Sequence, residues 1–203
     1  MSGKFTEIAF TPAVKAIQEK RGSRQMYARF EKSKSSSDRI TPDIVAFISQ
    51  QEGFYLGTVS SSGYPYIQFR GGKPGFLKIL DEQTLGFADF AGNVQYITVG
   101  NLVENDKAFI FLMDYRHQRR LKLWGRAIAM ENDPALLAKL RVSDYDAEIE
   151  RAIVFRIEAW NWNCPQHIPI RYSEQEVIQI IAPLQARIAE LEQRLMTLSE
   201  SPQ

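Results

Sequence analysis

The sequence contains one cysteine, Cys164, and two histidines, His117 and His167, in 203 residues. A single thiol excludes an intrachain disulfide and a cysteine-rich zinc site. Two scattered histidines add no ligand set, so no metal is expected. A lone thiol suits a reducing compartment, and the cytoplasm is the expected location. Long apolar runs are also missing. None approaches the roughly 20 residues that cross a bilayer, and MSGKFTEIAF at the amino end lacks the apolar core of a signal peptide, so no membrane contact is expected. Charge of one sign is not in excess either. A formal net charge of +1 argues against a nucleic-acid partner, because duplex binding needs a basic face that releases counterions. Neither a Walker loop nor G-x-G-x-x-G occurs, so any phosphate must be held by side chains and loop amides.

What is present is ordinary for a globular chain, with 44% apolar and 24% charged residues. The length fits one core with terminal elaborations. Thr11-Pro12 predicts a helix running to about residue 20 and stopping at Gly22, and Thr41-Pro42-Asp43 starts another with Ile44, Phe47 and Ile48 on one face. Between them the polar stretch 31–38 reads as a mobile loop. From Phe54 onward, β-branched and aromatic runs alternate with Gly, Pro and Asp turns every 8–12 residues. Strands are predicted near 54–60, 64–70, 76–81, 84–89, 107–114, 119–130 and 151–161, with Ser61-Ser62-Gly63 and Asp81-Glu82-Gln83 as hairpin turns. Residues 93–104 break the alternation, and Asn93 is placed as the cap of a short helix. Asp133-Pro134 opens a further helix over 134–140. Many short antiparallel strands with few helices predict a closed or partly closed barrel, because closure removes sheet edges.

Near the carboxyl end, Ser173 and Glu176 form a capping box. Val177, Ile181, Leu184, Ile188, Leu191, Leu195 and Leu198 then alternate spacings of four and three. Such a seam suits a contact between subunits, and a helix lying on its own barrel gives nearly the same stripe. Pro183 is expected to kink or split this helix, leaving 183–198 as the longer uninterrupted piece. The chain thus divides into an N-terminal helix and loop (1–40), a barrel (41–172) and a C-terminal helix making a dimer contact (173–203).

Four blocks carry a resemblance: YPYIQFRGGKPGFLKILDEQTLGFADFAGN at 64–93, QYITVGN at 95–101, RRLKLWGRA at 119–127 and WNWNCPQHIPIR at 160–171. In order and spacing the chain resembles the pyridoxamine 5'-phosphate oxidase-like flavoproteins over roughly residues 40–200. The WNCPQH string at 162–167 resembles one branch of that superfamily. The resemblance implies a mainly β fold, a six-stranded antiparallel split barrel with flanking helices. It also implies a homodimer with two FMN molecules in clefts where the subunits meet.

Carried over residue by residue, the resemblance places Arg70, Lys73 and Lys78 at phosphate and ribityl contacts, a role that suits charge-assisted hydrogen bonding. Asp89, Asn93, Gln95, Tyr96 and Thr98 lie where the next strand and loop close over the cofactor. Relatives often carry a basic residue where this chain has Val94. Arg120 matches a position reaching the polar edge of the flavin, where a cation stabilises the reduced ring. Trp162 and Arg171 are implied to contact the flavin of the partner subunit, with Asn163, Gln166 and His167 lining the open face. Read without the resemblance, 160–171 is a proline-ended loop sealing the barrel, with Trp162 as a buried plug, and Trp124 is a core residue. Gly71-Gly72-Lys73-Pro74-Gly75 is Gly-rich but has the wrong spacing for either phosphate motif, and it reads as a barrel turn ahead of a phosphate cradle. Cys164 and His167 lack an orienting third group, so thiol catalysis is not expected.

The leading expectation is an FMN-dependent oxidoreductase acting on a small substrate. In the vitamin B6 oxidases of this family a basic histidine-containing motif holds the substrate phosphate. The comparable stretch here, 163–168, has no charge before Arg171, which argues against pyridoxamine phosphate as substrate. The alternatives are a flavin-binding or sensing module, and a barrel that holds another ligand such as haem through His117 and His167.

Overall fold

The computed structural model describes residues 4–32, 38–143 and 145–199. Most of the polar stretch expected as a mobile loop, 33–37, lies outside the described residues. Helices α1 (Lys4–Ala9), α2 (Pro12–Lys20), α3 (Arg24–Lys32) and α4 (Pro42–Ser49) precede strands β1 (Gly53–Val59), β2 (Pro65–Gly71), β3 (Lys78–Ile79) and β4 (Thr84–Phe90). Then come α5 (Ile97–Glu104), β5 (Lys107–Asp114), β6 (Arg119–Met130), α6 (Pro134–Leu140), β7 (Ile149–Trp162) and α7 (Glu174–Ser199). The described residues up to Asp114 form one compact unit with Arg119–Pro165, and Tyr115–Gln118 forms a second with the described residues from Gln166 onward.

In the first unit the strands make one sheet in the order β2-β1-β5-β6-β7-β4-β3, antiparallel at every pairing. The fold is a split β-barrel with flanking helices. It has six full strands plus β3, a two-residue strand that raises the expected count to seven. Alternation builds the core, since a strand turns successive side chains to opposite faces. Phe54, Leu56 and Thr58 of β1, Ile110 and Leu112 of β5, and Leu121 and Leu123 of β6 all point inward and are buried. Phe54 stacks on Phe76 and meets Phe87 edge-on, at centroid distances of 5.6 and 5.1 Å. Each fully buried Phe or Leu of this cluster contributes roughly 1.5–3 kcal/mol.

Helix α4 closes one end of the barrel by burying Ile44, Phe47 and Ile48 together, as the helical spacing requires. In α2 the Thr11 hydroxyl accepts a hydrogen bond from the Val14 amide at 3.3 Å, and Gly22 beyond the helix end takes φ +75°. Helices α1 and α3 carry no comparable start signal in the sequence. Phe5 on α1 lies 5.2 Å from the Trp124 ring on the outer face of the sheet. Trp124 is therefore half-buried under the N-terminal helices and is not a barrel-core residue.

Two further expectations are corrected. Asn93 does not cap α5; its side-chain oxygen accepts from the Gln95 amide at 3.3 Å in a local turn, and the helix starts after Tyr96, which adopts φ +54°. Pro183 does not split the C-terminal helix, which runs unbroken from Glu174 to Ser199. Proline removes one donor and crowds one carbonyl, and the hydrogen bonds of the turns on either side carry the helix past it. In this second unit the capping box forms: the Ser173 amide and hydroxyl both donate to the Glu176 carboxylate, at 2.8 and 3.0 Å. Arg116 pairs with Glu176 at 3.0 Å, and the Arg171 guanidinium lies 4.3 Å from the Tyr115 ring centroid.

Candidate functional site

Strands β2 and β4 approach one another across the opening of the sheet without a shared ladder, and a cleft forms between them and the start of α5. It holds roughly 400 Å³ of space, open to solvent. Tyr66, Gln68 and Arg70 supply one wall, because β2 turns its even-numbered residues this way. Asp89 and Phe90 supply the second, and the loop 92–96 with Ile97, Thr98 and Val99 supplies the third, beside Glu150. Two side-chain hydrogen bonds pin α5 to the sheet: Thr98 Oγ1 donates to Gln68 Oε1, and Asn101 Nδ2 donates to Thr58 Oγ1, both at 3.0 Å. The second pair is buried, where losing a partner costs most.

The charged floor of the cleft is a chain of alternating signs. Arg70 Nη1 donates to Asp89 Oδ1 at 2.5 Å, Arg151 Nε stands 3.7 Å from Asp89 Oδ2, and Arg151 Nη2 donates to Glu150 Oε2 at 2.6 Å. The Arg151 guanidinium also lies 5.1 Å from the Tyr96 ring centroid. Asp89 is 5% exposed, and burial raises its carboxyl pKa above the ordinary value against the opposing pull of Arg70 and Arg151. The Nε groups of both arginines are buried with no hydrogen-bond acceptor. Buried donors normally find partners, so these two N–H groups leave the cluster beside the cleft with unmet hydrogen-bonding capacity.

On the other side of Arg70 a second opening is lined by Phe69, Phe76, Phe87 and Phe90. Arg70 and Phe90 border both openings, so a guanidinium and flat apolar surface lie side by side. Val94 in the loop takes φ +52°, which a β-branched residue adopts only under strain.

Six of the residues expected at a cofactor meet in the cleft: Arg70, Asp89, Asn93, Gln95, Tyr96 and Thr98. The others do not. Lys73 is exposed in the β2–β3 turn and Lys78 is half-buried in β3. Arg120, on β6, donates through Nη2 to the Cys164 carbonyl at 3.3 Å; its Nε and the Asn163 side-chain oxygen are both buried without a partner. Trp162 packs edge-on against Phe47 at 4.9 Å, with the Arg119 guanidinium 4.4 Å from its ring centroid. Arg171, Gln166 and His167 belong to the second unit and are exposed. Sequence reading missed Tyr66, Gln68, Glu150 and Arg151. For Arg151 a signal existed: an arginine entering the apolar run Ala152–Phe155 must find a counterion, and the ladder sets it opposite Asp89.

A family model described as pyridoxamine 5'-phosphate oxidase matches residues 40–168, more than half of the chain. The chain belongs to the pyridoxamine 5'-phosphate oxidase family. The match spans α4 and the whole sheet, and so contains every residue of the cleft. No curated protein matches the chain. Among solved structures it is similar to HupZ of Group A Streptococcus, at 17% identity and a TM-score of 0.49, covering 66% of this chain and 99% of that one. It is also similar to a Clostridium acetobutylicum protein related to general stress protein 26, of the pyridoxinephosphate oxidase family. That match has 18% identity and a TM-score of 0.48, covering 66% and 94%. An FMN-binding protein from Syntrophomonas wolfei matches at 13% identity and a TM-score of 0.46, covering 72% and 97%. Among the described residues no helix is long and apolar enough to cross a membrane.

Proposed function

We propose that this chain binds flavin mononucleotide in the cleft between β2, β4 and α5, as a homodimer, and passes electrons between the flavin and a small substrate. The observation that carries the reading is the buried Arg70–Asp89–Arg151 cluster, in which neither arginine's Nε–H finds a hydrogen-bond acceptor. Those donors suit phosphate oxygens, and the aromatic surface beside Arg70 suits a flat ring. Lys73 and Lys78, on the segment after β2, are the further candidates for phosphate. When bound, flavin supplies the hydride and electron chemistry, and the protein supplies position, charge and exclusion of water.

The dimer is supported by the outer face of the same sheet. Ile67, Phe69 and Tyr55 are 66%, 57% and 40% exposed, and Phe109 and Phe111 lie beside them, half-buried. An apolar patch of this kind marks an interface. Strand β2 turns Tyr66, Gln68 and Arg70 to the cleft and Ile67 and Phe69 to this patch, so a second copy seated there borders the cofactor site. In that arrangement Trp162 and Arg171 are candidate flavin contacts across the interface. Arg120 is a candidate for the flavin edge, and Asn163, Gln166 and His167 are candidates for the substrate side.

The test is the visible spectrum of the purified protein and the mass of what it releases on denaturation. Flavin bands and released FMN are expected, with bleaching by NADH or NADPH and return of colour in air. A colourless protein that takes up no added FMN overturns the reading. A yellow protein that no reductant bleaches retains flavin binding and removes the oxidoreductase.

A further inference from the structure

The seam on α7 is uncovered in the single chain. Val177, Ile181, Leu184, Ile188, Leu191 and Leu195 are between 40% and 66% exposed, along a helix that continues through Pro183. We propose that α7 pairs with the α7 of a second copy as a parallel, in-register, two-stranded coiled coil. The proposal rests on the homodimer of the proposed function and is independent of flavin.

Two features of the helix select this occupant and this orientation. Spacings of four and three assign Ile181, Ile188 and Leu195 to the a positions of a heptad, and Val177, Leu184 and Leu191 to d. In the two heptads holding Ile181 with Leu184 and Ile188 with Leu191, a β-branched residue at a with leucine at d favours two strands among parallel coils. The same assignment puts Arg187 and Arg194 at g and Gln185 and Glu192 at e. In a parallel pair, g of one helix faces e of the next heptad on the other, so Arg187 meets Glu192 of the partner subunit, twice by symmetry. An antiparallel pair overlapping the whole seam sets g against g and e against e, which brings Arg187 to its own copy and leaves Glu192 opposite Ile178 with no cation. At present Arg187 pairs at 2.5 Å with Glu190 on its own helix, an exposed contact that is weak and easily shared. Pro183 takes a c position, so its ring stays off the seam. A two-fold axis along such a coil makes a closed dimer with no further free surface of the same kind.

The experiment uses the full chain with Cys164→Ser, carrying either Val177→Cys or Leu195→Cys, under mild oxidation, with sedimentation equilibrium on the unmodified protein. Circular dichroism confirms that each variant keeps its helix content. A dimer in which each single-cysteine variant links to itself is the expected result. In an antiparallel pair identical positions at the two ends lie about 27 Å apart, at 1.5 Å per residue, far beyond disulfide reach. A dimer in which neither variant self-links overturns the coiled coil and leaves the homodimer standing. Linking only in a mixture of the two variants overturns the parallel orientation. A monomer overturns this inference and the homodimer together, while the flavin spectrum of the same sample reports separately on the cofactor.

Discussion

Arg70 of β2 and Asp89 of β4 meet at 2.5 Å across the split in the barrel, joining two strands that no backbone ladder connects. Both side chains are largely buried, at 15% and 7% exposure. Arg70→Ala leaves Asp89 with Arg151 alone. Burial already holds the Asp89 pKa above the ordinary value, and removal of a neighbouring cation raises it further. A carboxyl whose folded pKa exceeds its unfolded one favours the fold below the unfolded value and loses that contribution as pH rises through the folded one. The variant is therefore expected to lose stability relative to wild type as pH rises from about 4 toward neutrality. The deficit at neutral pH should be on the order of 3 kcal/mol, read from urea unfolding at several pH values. Flavin retention should fall in the same variant.

Asn101→Ala removes the amide that satisfies the buried Thr58 hydroxyl. Loss of one partner from a buried pair costs about 1–3 kcal/mol. Because this bond and that of Thr98 hold α5 as a wall of the cleft, hydrogen exchange across 97–104 should quicken, while amides of β6 and β7 keep their protection.

Val94 adopts φ +52° with its side chain 65% exposed, so the strain is not repaid by burial. Val94→Gly is expected to raise the unfolding midpoint by an amount equivalent to about 1 kcal/mol, because glycine takes this conformation without a Cβ clash. An unchanged or lowered midpoint would show that the valine is compensated elsewhere.

Gly125 sits at the register shift between β6 and β7, where an added Cβ would stand 2.1 Å from the Arg156 carbonyl oxygen and 2.8 Å from the Phe155 ring. The backbone oxygen cannot swing aside as a side-chain tip does. Gly125→Ala should cost roughly 1–3 kcal/mol, with chemical shift changes centred on Phe155.

The Glu176 carboxyl is held below its ordinary value by the hydrogen bonds it accepts from the Ser173 amide and hydroxyl, with Arg116 adding to the effect. An acid with a depressed folded pKa contributes above its unfolded value and loses that contribution as pH falls through the folded one. Helix α7 should therefore fray at its start in acid. Ser173→Ala should bring the Glu176 titration, followed by carbon-detected NMR, back toward the ordinary value.

Local chemistry made much of this fold legible. Thr11-Pro12, Asp133-Pro134 and the Ser173–Glu176 box set helix starts within one or two residues of their observed places, since capping depends on neighbours in sequence. The strands followed because period-two burial is written residue by residue, as in Phe54, Leu56 and Thr58. Helices α1 and α3 were not legible, because Phe5 of α1 packs on Trp124, more than a hundred residues away, and Phe30 and Tyr27 of α3 pack on Phe5 and Phe10. The start of α5 was misplaced because Asn93 satisfies Gln95 in a turn, an outcome that the same side chain makes as readily as a cap.

For the candidate site, the sequence by itself determined the residue types: a cation on β2, an acid on β4, polar groups before α5, and a heptad seam at the end. Only the tertiary structure decided that Arg70 spends its charge on Asp89, that Arg151 joins them, and that Lys73 and Lys78 stand outside the cleft. The reason is physical. Residue type and spacing act over a few residues, whereas which buried charges share one low-dielectric space depends on how the strands curl and on which of them lie opposite one another.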